Sequence, residues 1–299
     1  MAIVALVVFL VTNLIPGSPA AVILGEDATP EEVQALTHLM GFDRPVWVRL
    51  WDWVSDVLRG DMGNSIYTGK AVMPILLTRL EPTLILTVGT VMVAILIGIP
   101  LGIVAAVNFR KAADLAAVSL SLVGVSVPYF WLGLNMILVF SYVLRWFPVC
   151  GYTRLVESIP EAMTYLFLPI LTMGIHHSGG IARMTRASML EVLRADHIRT
   201  ARSKGVSEYA VVFKHALRTA ILPIASTIGI VIILTVGGSP VIETVFALPG
   251  IGRLTIESVL RRDFPMIQGC ILLIAASVAM VNLLVDLAYA SLDPRIVYH

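Results

Sequence analysis

The sequence predicts an all-α, polytopic membrane protein with six transmembrane helices. Hydrophobic residues make up 58% of its 299 residues, whereas Asp, Glu, Lys and Arg together make up 14%. An ordinary soluble domain contains about 25% charged residues, so lipid is the expected solvent for most of this chain. The apolar runs between the charged clumps reach the roughly 20 residues that a helix needs to cross the hydrocarbon core. Because the net charge is only +1, no basic field indicates nucleic acid as a partner.

The first predicted span, residues 1–15, is shorter than the others. A signal peptide would need a charged segment before the apolar run and a small-residue cleavage site after it, but no Lys or Arg precedes this run and it leads into Pro16-Gly17. We therefore expect a transmembrane helix whose cytosolic start is not represented, in a natural protein that begins upstream of Met1. The other five spans contain no Asp, Glu, Lys or Arg and are Thr83–Val107, Leu115–Leu144, Ala162–Ala182, Thr219–Ile242 and Met266–Val285.

The Lys and Arg residues of the short loops predict which side of the membrane each loop occupies. Loops 108–114 and 178–218 hold two and eight of them, whereas loops 144–162 and 239–265 hold two and three. The first pair is assigned to the cytosol because Lys and Arg resist translocation. With six spans, both termini are then cytosolic, including the tail 291–299.

The extracytosolic segment, residues 16–81, contains two predicted short helices. Thr29-Pro30-Glu31-Glu32 has the pattern of a capping box with proline at the first helical position, and Gly41 ends the helix that follows. A second helix after Pro45 carries an apolar stripe that ends at Gly60. The stripe suits a helix on the membrane surface, and packing against the rest of the protein explains it equally well. Its residues are Trp47, Leu50, Trp51, Val54 and Leu58.

A phosphate-cradling loop of the form GxxxxGK[ST] would give the chain a nucleotide site of its own. Gly63, Gly69 and Lys70 come near this pattern. The glycines have one residue too many between them, no Ser or Thr follows to hold magnesium, and the loop lies on the predicted outer side. We therefore expect that this chain binds no cofactor and that ATP and Mg²⁺ are held by partner subunits.

His176-His177 and the two cysteines, Cys150 and Cys270, are weak candidates for a metal site. Neighbouring residues on a helix point about 100° apart and do not converge on one ion without help. The histidines are interpreted as residues at the cytosolic end of a span, and the cysteines, which lack CxxC spacing, as unpaired. No Ser/His/Asp grouping or HExxH sequence occurs either. The sequence therefore predicts neither a metal site nor catalytic residues.

An ion-coupled secondary transporter is the main alternative from another class. Such proteins usually hold a carboxylate or histidine in mid-membrane. Here the acids near the spans, Glu81, Glu243 and Asp286, lie at or near predicted ends. This position weakens the alternative without removing it, and an intramembrane hydrolase stands further behind.

The cytosolic stretch from Arg183 to Arg218 is the most informative part of the sequence. It is too long for a simple connection, it has a helical pattern, and Gly205 interrupts it. A helix, a glycine turn and a second helix would make a compact knob in the cytosol. A basic loop held against anionic lipid headgroups accounts for the charge equally well.

Residues 198–223 resemble the coupling loop of permeases of binding-protein-dependent ABC importers, and more narrowly the dipeptide, oligopeptide and nickel branch. In the wider family this loop has Glu-Ala-Ala, three residues, Gly, nine residues and Ile-x-Leu-Pro, of which this chain keeps Ala201, Gly205 and Leu217. Its departures, which are typical of the peptide branch, are at Arg199, Thr200, His215 and Arg218.

Seven further strings look like segments of the same branch and occur in the same order, so the resemblance covers nearly the whole chain. They are Leu14-Ile-Pro-Gly-Ser-Pro19, Ala28-Thr-Pro-Glu-Glu32, Gly60-Asp-Met-Gly-Asn-Ser65, Gly98-Ile-Pro-Leu-Gly102, Ser188-Met-Leu-Glu-Val192, Pro249-Gly-Ile-Gly252 and Asp293-Pro-Arg295.

The resemblance implies a type I ABC importer permease fold and three kinds of partner. These are a second homologous permease, two cytosolic ATPases docked on the coupling loops, and an extracytosolic substrate-binding protein. Exposed cations of the loop would orient the ATPase contact. The residues expected to couple to the ATPase are Arg199, Thr200, Ala201, Arg202, Lys204, Gly205, His215 and Leu217.

We therefore expect a permease subunit that imports di- and oligopeptides across the bacterial plasma membrane. Nickel, glutathione or another small solute is the alternative cargo within the branch. The transmembrane domain is assigned to residues 82–290, with the coupling loop at about 183–218.

A second candidate site is an outer gate formed by Glu243, Pro249 and Gly250. Glu243 follows the fifth span at its outer end, where its carboxylate could meet the amino group of a peptide or a cation of a partner subunit. A solvated loop with a turn at Pro249-Gly-Ile-Gly252 is the alternative interpretation.

Overall fold

The computed structural model describes residues 2–14, 24, 28–39, 41 and 43–292. These residues are predominantly helical, and the extended pairing they contain is an isolated bridge between Asn64 and Ala71. The all-α prediction is confirmed. The chain forms two compact units, residues 1–83 with 249–279 and residues 84–248 with 280–299.

Eleven helices of eight or more residues follow one another along the described residues. Two shorter π-helical segments adjoin these helices: Ile137–Val143 follows Met136 directly, and Val211–Ala216 directly precedes Leu217. The helices are α1 Ala2–Leu14, α2 Pro30–Leu39, α3 Val46–Leu58, α4 Val72–Val107, α5 Ala112–Ser126, α6 Tyr129–Met136, α7 Ile159–Leu193, α8 Asp196–Ser203, α9 Leu217–Val245, α10 Ile251–Leu260 and α11 Phe264–Leu292.

The predicted capping box is present at the start of α2. The backbone N–H of Thr29 donates to the Glu32 carboxylate at 2.9 Å, and the N–H of Glu32 donates back to the Thr29 hydroxyl at 3.4 Å. Gly41, just after the helix, has a φ of 68°. Each of these signals is local in sequence, which explains why the sequence was sufficient to predict them.

Two faces of α3 have different surroundings. Trp53 packs against Phe9 of α1, with ring centroids 5.6 Å apart. Trp47 and Trp51, in contrast, are 78% and 75% exposed. Of the predicted apolar stripe, Trp47, Trp51 and Leu58 are exposed whereas Leu50 and Val54 are half-buried, so both interpretations of the stripe stay predictions.

The Gly60–Ser65 string forms a turn that is tied to a distant part of the first unit. Gly60 and Gly63 have φ values of 85° and 74°, and the Asp61 carboxylate accepts a hydrogen bond from the Gly63 N–H at 2.8 Å. The Ser65 hydroxyl donates to the carboxylate of the buried Asp263, which also accepts from the Ile66 N–H at 3.1 Å. This turn is thus fixed by hydrogen bonds to a residue almost 200 positions later in the chain.

Helices α4 and α7 approach closely within the second unit. A Cβ at Gly98 would lie 2.8 Å from the Ser178 carbonyl oxygen, and one at Gly102 would lie 2.6 Å from the Ala182 carbonyl oxygen. A side chain larger than that of glycine would not fit at these distances. Small residues commonly allow such close helix packing in membranes. The Gly98–Gly102 string therefore serves helix packing.

Two helices extend beyond the spans predicted within them. Helix α4 has 36 residues and begins at Val72 rather than Thr83, so the predicted boundary at residue 81 falls inside it. Helix α7 has 35 residues and continues to Leu193. At 1.5 Å per residue both exceed the roughly 30 Å hydrocarbon core. The predicted spans end where charged residues begin, and a charged residue does not end a helix, so both helices continue past the predicted spans.

Three helical stretches of the described residues are long and apolar enough to cross a bilayer: Val72–Val107, Glu208–Gly237 and Phe264–Leu287. The pair Ala112–Ser126 and Tyr129–Val143 adds a fourth if it is one bent span. These overlap four of the six predicted spans, and the six-span count stays a prediction. Of the family-like strings, 293–295 lies outside the described residues, and so does 14–19 except for Leu14.

The predicted span Leu115–Leu144 is not one straight helix. Helices α5 and α6 are bent by 93° at the break between them. Pro128 has no N–H and disfavours helical backbone at Val127, whose ψ is 124°. The apolar run coincides with this pair of helices but did not predict the bend, and a single span here stays a prediction.

Candidate functional site

The segment from Asp196 to Ala216, called the knob below, links α7 to α9. It consists of α8, a turn at Lys204–Gly205, a short helical turn at Glu208–Ala210 and the π-helical segment Val211–Ala216. Gly205 has a φ of 76°, and the N–H of Val206 donates to the Ala201 carbonyl at 3.2 Å. The predicted helix, glycine turn and second helix are therefore confirmed.

Buried aliphatic side chains hold the knob together. Ile198 of α8 and Val211 of the π-helical segment are both fully buried, in one apolar cluster with Met189 of α7 and Ala216. Burial of such side chains stabilises packing by roughly 1.5 to 3 kcal/mol each. The knob is therefore a packed element continuous with α7 and α9, rather than a basic loop held only by charge.

Arg202 pairs with Glu208 across the glycine turn. Its Nε and Nη2 lie 3.1 and 2.6 Å from the two carboxylate oxygens. Hydrogen bonds from Arg202 hold the pKa of the Glu208 carboxyl below its ordinary value. Arg202 was predicted as an exposed cation that orients a partner. It remains 42% exposed, but the structure shows that it also fixes the turn.

The other predicted coupling residues divide into an exposed and a half-buried set. Arg199, whose guanidinium lies 3.5 Å from the Asp196 carboxylate, is exposed on α8 with Thr200, and Lys204 is exposed beside it. Ala201, His215 and Leu217 are half-buried. Gly205 is exposed, and a Cβ built on it would meet no atom within 4 Å. The knob thus presents a polar, cationic surface on α8.

Two aromatic residues of the knob were not singled out from the sequence. Tyr209 is 74% exposed and Phe213 is 44% exposed, and their ring centroids lie 4.7 Å apart. Their spacing of four residues was the available signal. An exposed aromatic pair beside cations is a surface of the composition that protein interfaces favour.

The second predicted site, at the outer gate, differs from expectation. Glu243 is fully buried in the last turn of α9, so the alternative of a solvated loop is wrong for this residue. The chain reverses just after it, where Ala247 has a φ of 53° and the Leu248 N–H donates to the Glu243 carbonyl at 2.8 Å. Glu243 belongs to the second unit.

Pro249 and Gly250 belong to the first unit and precede α10. The predicted turn at Pro249-Gly-Ile-Gly252 therefore ends earlier than expected, because Ile251 and Gly252 are already helical. The N–H of Ile251 donates to the Thr83 hydroxyl at 2.9 Å, which fixes the start of α10.

His176 and His177 lie in the middle of α7, which continues beyond the predicted span, and their place at the cytosolic end of that span stays a prediction. Their ring centroids are 5.2 Å apart with the planes at 74°.

Comparisons with known proteins relate the whole chain to membrane transport components. Residues 98–298 match the family described as "Binding-protein-dependent transport system inner membrane component", and residues 1–87 match the corresponding N-terminal family. A probable peptide ABC transporter permease protein of Sinorhizobium fredii is 43% identical over 298 residues, covering 100% of this chain and 95% of the relative.

Two further similarities are informative. A glutathione transport system permease protein of Salmonella typhimurium is 39% identical over 296 residues, covering 99% of this chain and 94% of the relative. Among solved structures, an inward-facing methionine ABC transporter, MetNI, matches with a TM-score of 0.61 at 20% identity, over 74% of this chain and 97% of that chain. The structural match supports the type I ABC importer permease fold.

Proposed function

The chain belongs to the family of binding-protein-dependent transport system inner membrane components, and on that premise we propose that it is the permease subunit of an ATP-driven importer of di- and oligopeptides. Full-length similarity, at 43% identity, to a protein named as a probable peptide ABC transporter permease carries this proposal. Its long apolar helices fit a multi-pass protein of the bacterial inner membrane. We further propose that both termini face the cytosol.

The knob is the proposed docking element for a cytosolic ATPase. Arg199 and Lys204 offer charge for orientation, while Tyr209 and Phe213 offer apolar area for a groove. Ile198 of the knob and Met189 of α7 are both fully buried in one apolar cluster, so a displacement of the knob would move α7. Force from ATP hydrolysis would thereby reach the membrane-spanning part.

The partners proposed on this basis are two ATPases, a second homologous permease and an extracytosolic substrate-binding protein. ATP and Mg²⁺ would be held by the ATPases, and this chain would contribute no catalytic residue. Glu243, Pro249 and Gly250 remain proposed outer-gate residues. For the buried Glu243, this role requires a second conformation in which its carboxylate becomes accessible.

Glutathione is the second candidate cargo, because relatives named as glutathione permeases share 39% identity with nearly the whole chain. Glutathione is itself a small peptide, so both cargoes present an amino group, carboxylates and amide bonds. Selection between them is expected to lie largely in the binding protein.

Reconstitution of the complete complex in proteoliposomes tests the proposal. Uptake of a labelled dipeptide or of glutathione should require the binding protein outside and ATP on the ATPase side. Uptake driven by a proton or sodium gradient in the absence of ATPases would instead identify a secondary transporter. A complex that transports neither compound but takes up Ni²⁺ would contradict the peptide assignment and leave the importer assignment intact.

A further inference from the structure

The break between α5 and α6 leaves non-helical backbone inside an apolar segment. Helix α5 ends at Ser126 and α6 begins at Tyr129. Val127 and Pro128 between them have ψ values of 124° and 128°, so neither continues a helix. Within a membrane, backbone polar groups at such a break need partners from the protein, because no bulk water is present.

Pro128 removes one donor from the last turn of α5. In a continuous α-helix the Gly124 carbonyl accepts a hydrogen bond from the N–H of residue 128. Proline has no N–H, so this carbonyl has no intrahelical donor. The sequence therefore creates an acceptor that must be satisfied from elsewhere.

His176 of α7 supplies the missing donor. Its Nδ1 lies 3.1 Å from the Gly124 carbonyl oxygen. A carbonyl oxygen only accepts, so the proton of this bond is on Nδ1. The same ring meets Tyr129, the first residue of α6, with centroids 5.4 Å apart and planes at 62°. One side chain of α7 therefore contacts both sides of the break.

We infer that His176 is a positioning residue that fixes the bend between α5 and α6 by donating to the carbonyl that Pro128 leaves without its helical partner. Pro128 thus deprives the Gly124 carbonyl of its helical donor, and His176 supplies a donor in its place. A permease that alternates access must keep the shape of its spans defined while they move, so transport depends on this bond. The role of His176 in the bend rests on the structure alone, whereas its role in transport rests on the proposed function.

Distance measurement between spin labels tests the bend directly. Leu115 on α5 and Tyr142 beyond α6 are 65% and 72% exposed, and they can be replaced by labelled cysteines in a Cys150→Ser background. With a 93° bend their Cα atoms should lie about 28 Å apart, against about 40 Å for a straight helix. The measurement is made on the assembled complex in lipid nanodiscs.

Three variants separate the hydrogen bond from general packing. His176→Leu removes the donor and should broaden or lengthen the distance. His176→Asn places an amide nitrogen near the position of Nδ1 and should restore the short distance. His177→Leu changes the adjacent residue of the same type, whose ring contacts His176, and should leave the distance short. An unchanged distance in His176→Leu, or an equal shift in His177→Leu, overturns the inference.

Pro128→Ala provides the decisive comparison because it returns an N–H to residue 128. In that background the Gly124 carbonyl has an alternative donor, so adding His176→Leu should produce a smaller further change than it does in the wild type. Additive effects of the two substitutions would show that they do not act on one acceptor.

Uptake assays then test the functional part. His176→Leu should lower uptake by about tenfold, the factor expected for one buried hydrogen bond, and His176→Asn should recover most of it. A shifted distance with normal uptake would refute the role in transport and leave the role in the bend. Absence of peptide uptake by the wild-type complex would contradict the proposed function, and the distances would still decide the inference about His176.

Discussion

Gly205 occupies the left-handed region of backbone space, at φ 76°, where side chains other than Asn and Asp cost about 1 kcal/mol or more. Its surroundings are open, since a Cβ there meets no atom within 4 Å. The requirement for glycine is therefore conformational rather than steric. This distinction separates the effects of two substitutions of similar size.

We expect Gly205→Val to insert in the membrane but to lose ATPase association, because a β-branched residue disfavours positive φ and would distort the turn. Gly205→Asn, which tolerates that backbone, should retain most of the association. Co-purification of the ATPases with each variant and peptide uptake measure the effect. If the valine variant assembles and transports like wild type, the knob is not the docking element.

Both side chains of the Arg202–Glu208 pair are exposed to solvent, so the pair stabilises the turn by at most about 1 kcal/mol. Arg202→Ala should give a mild, salt-dependent loss of ATPase association, and Glu208→Gln should give a similar one. The double variant should be no worse than the single ones if the pair acts as a unit. Additive losses would mean that each residue meets the ATPase separately.

The pH dependence of this pair has a defined direction. The pKa of Glu208 lies below its ordinary value of 4.5, so the pair is fully formed above that value and is lost as pH falls through the lowered pKa. Association of the ATPase through this pair should therefore be constant between about pH 6 and 8. A change in ATPase association within that interval would show that the Arg202–Glu208 pair does not control docking.

At the scale of helices, the contact between α4 and α7 depends on glycines that allow the backbones to approach. Gly102→Ala on α4 would place a Cβ 2.6 Å from the Ala182 carbonyl oxygen of α7. A Cβ at Gly180, which lies on α7, meets nothing within 4 Å. We expect Gly102→Ala to lower the thermal unfolding midpoint in detergent. Gly180→Ala should leave it unchanged or raise it slightly, since alanine favours helix by up to about 1 kcal/mol over glycine. Equal midpoints for the two variants would contradict close packing at Gly102.

The helices also show which features a sequence can predict. The capping box at Thr29 and the turn at Gly205 depend on residues within a few positions, and both were predicted. The pairing of Arg202 with Glu208, the burial of Glu243 and the donor role of His176 depend on contacts that form only when helices meet. Pro128 was a local signal for the bend, but the continuous apolar run around it favoured a single straight span.

At the scale of the whole molecule, the two cysteines report the predicted orientation. Cys150 is exposed in the loop before α7, which is assigned to the outside, and Cys270 is buried. A membrane-impermeant maleimide added to intact spheroplasts should label Cys150 and not Cys270. In a Cys150→Ser background, a cysteine placed at the exposed Ser203 of the knob should react only after permeabilisation. The opposite labelling pattern would show that the chain has the reverse orientation in the membrane.

The tie between Ser65 and Asp263 has a consequence for biosynthesis. The first unit joins residues 1–83 to residues 249–279, and its core packs Val72 and Leu76 against Ile251 and Met266. At about 5 to 20 residues per second, the ribosome needs roughly 8 to 33 seconds to synthesise the intervening 84–248 segment. Throughout that interval the N-terminal part lacks the core residues that 249–279 supply. We therefore expect the nascent N-terminal part to depend on the insertion machinery or a chaperone until residues 249–279 emerge.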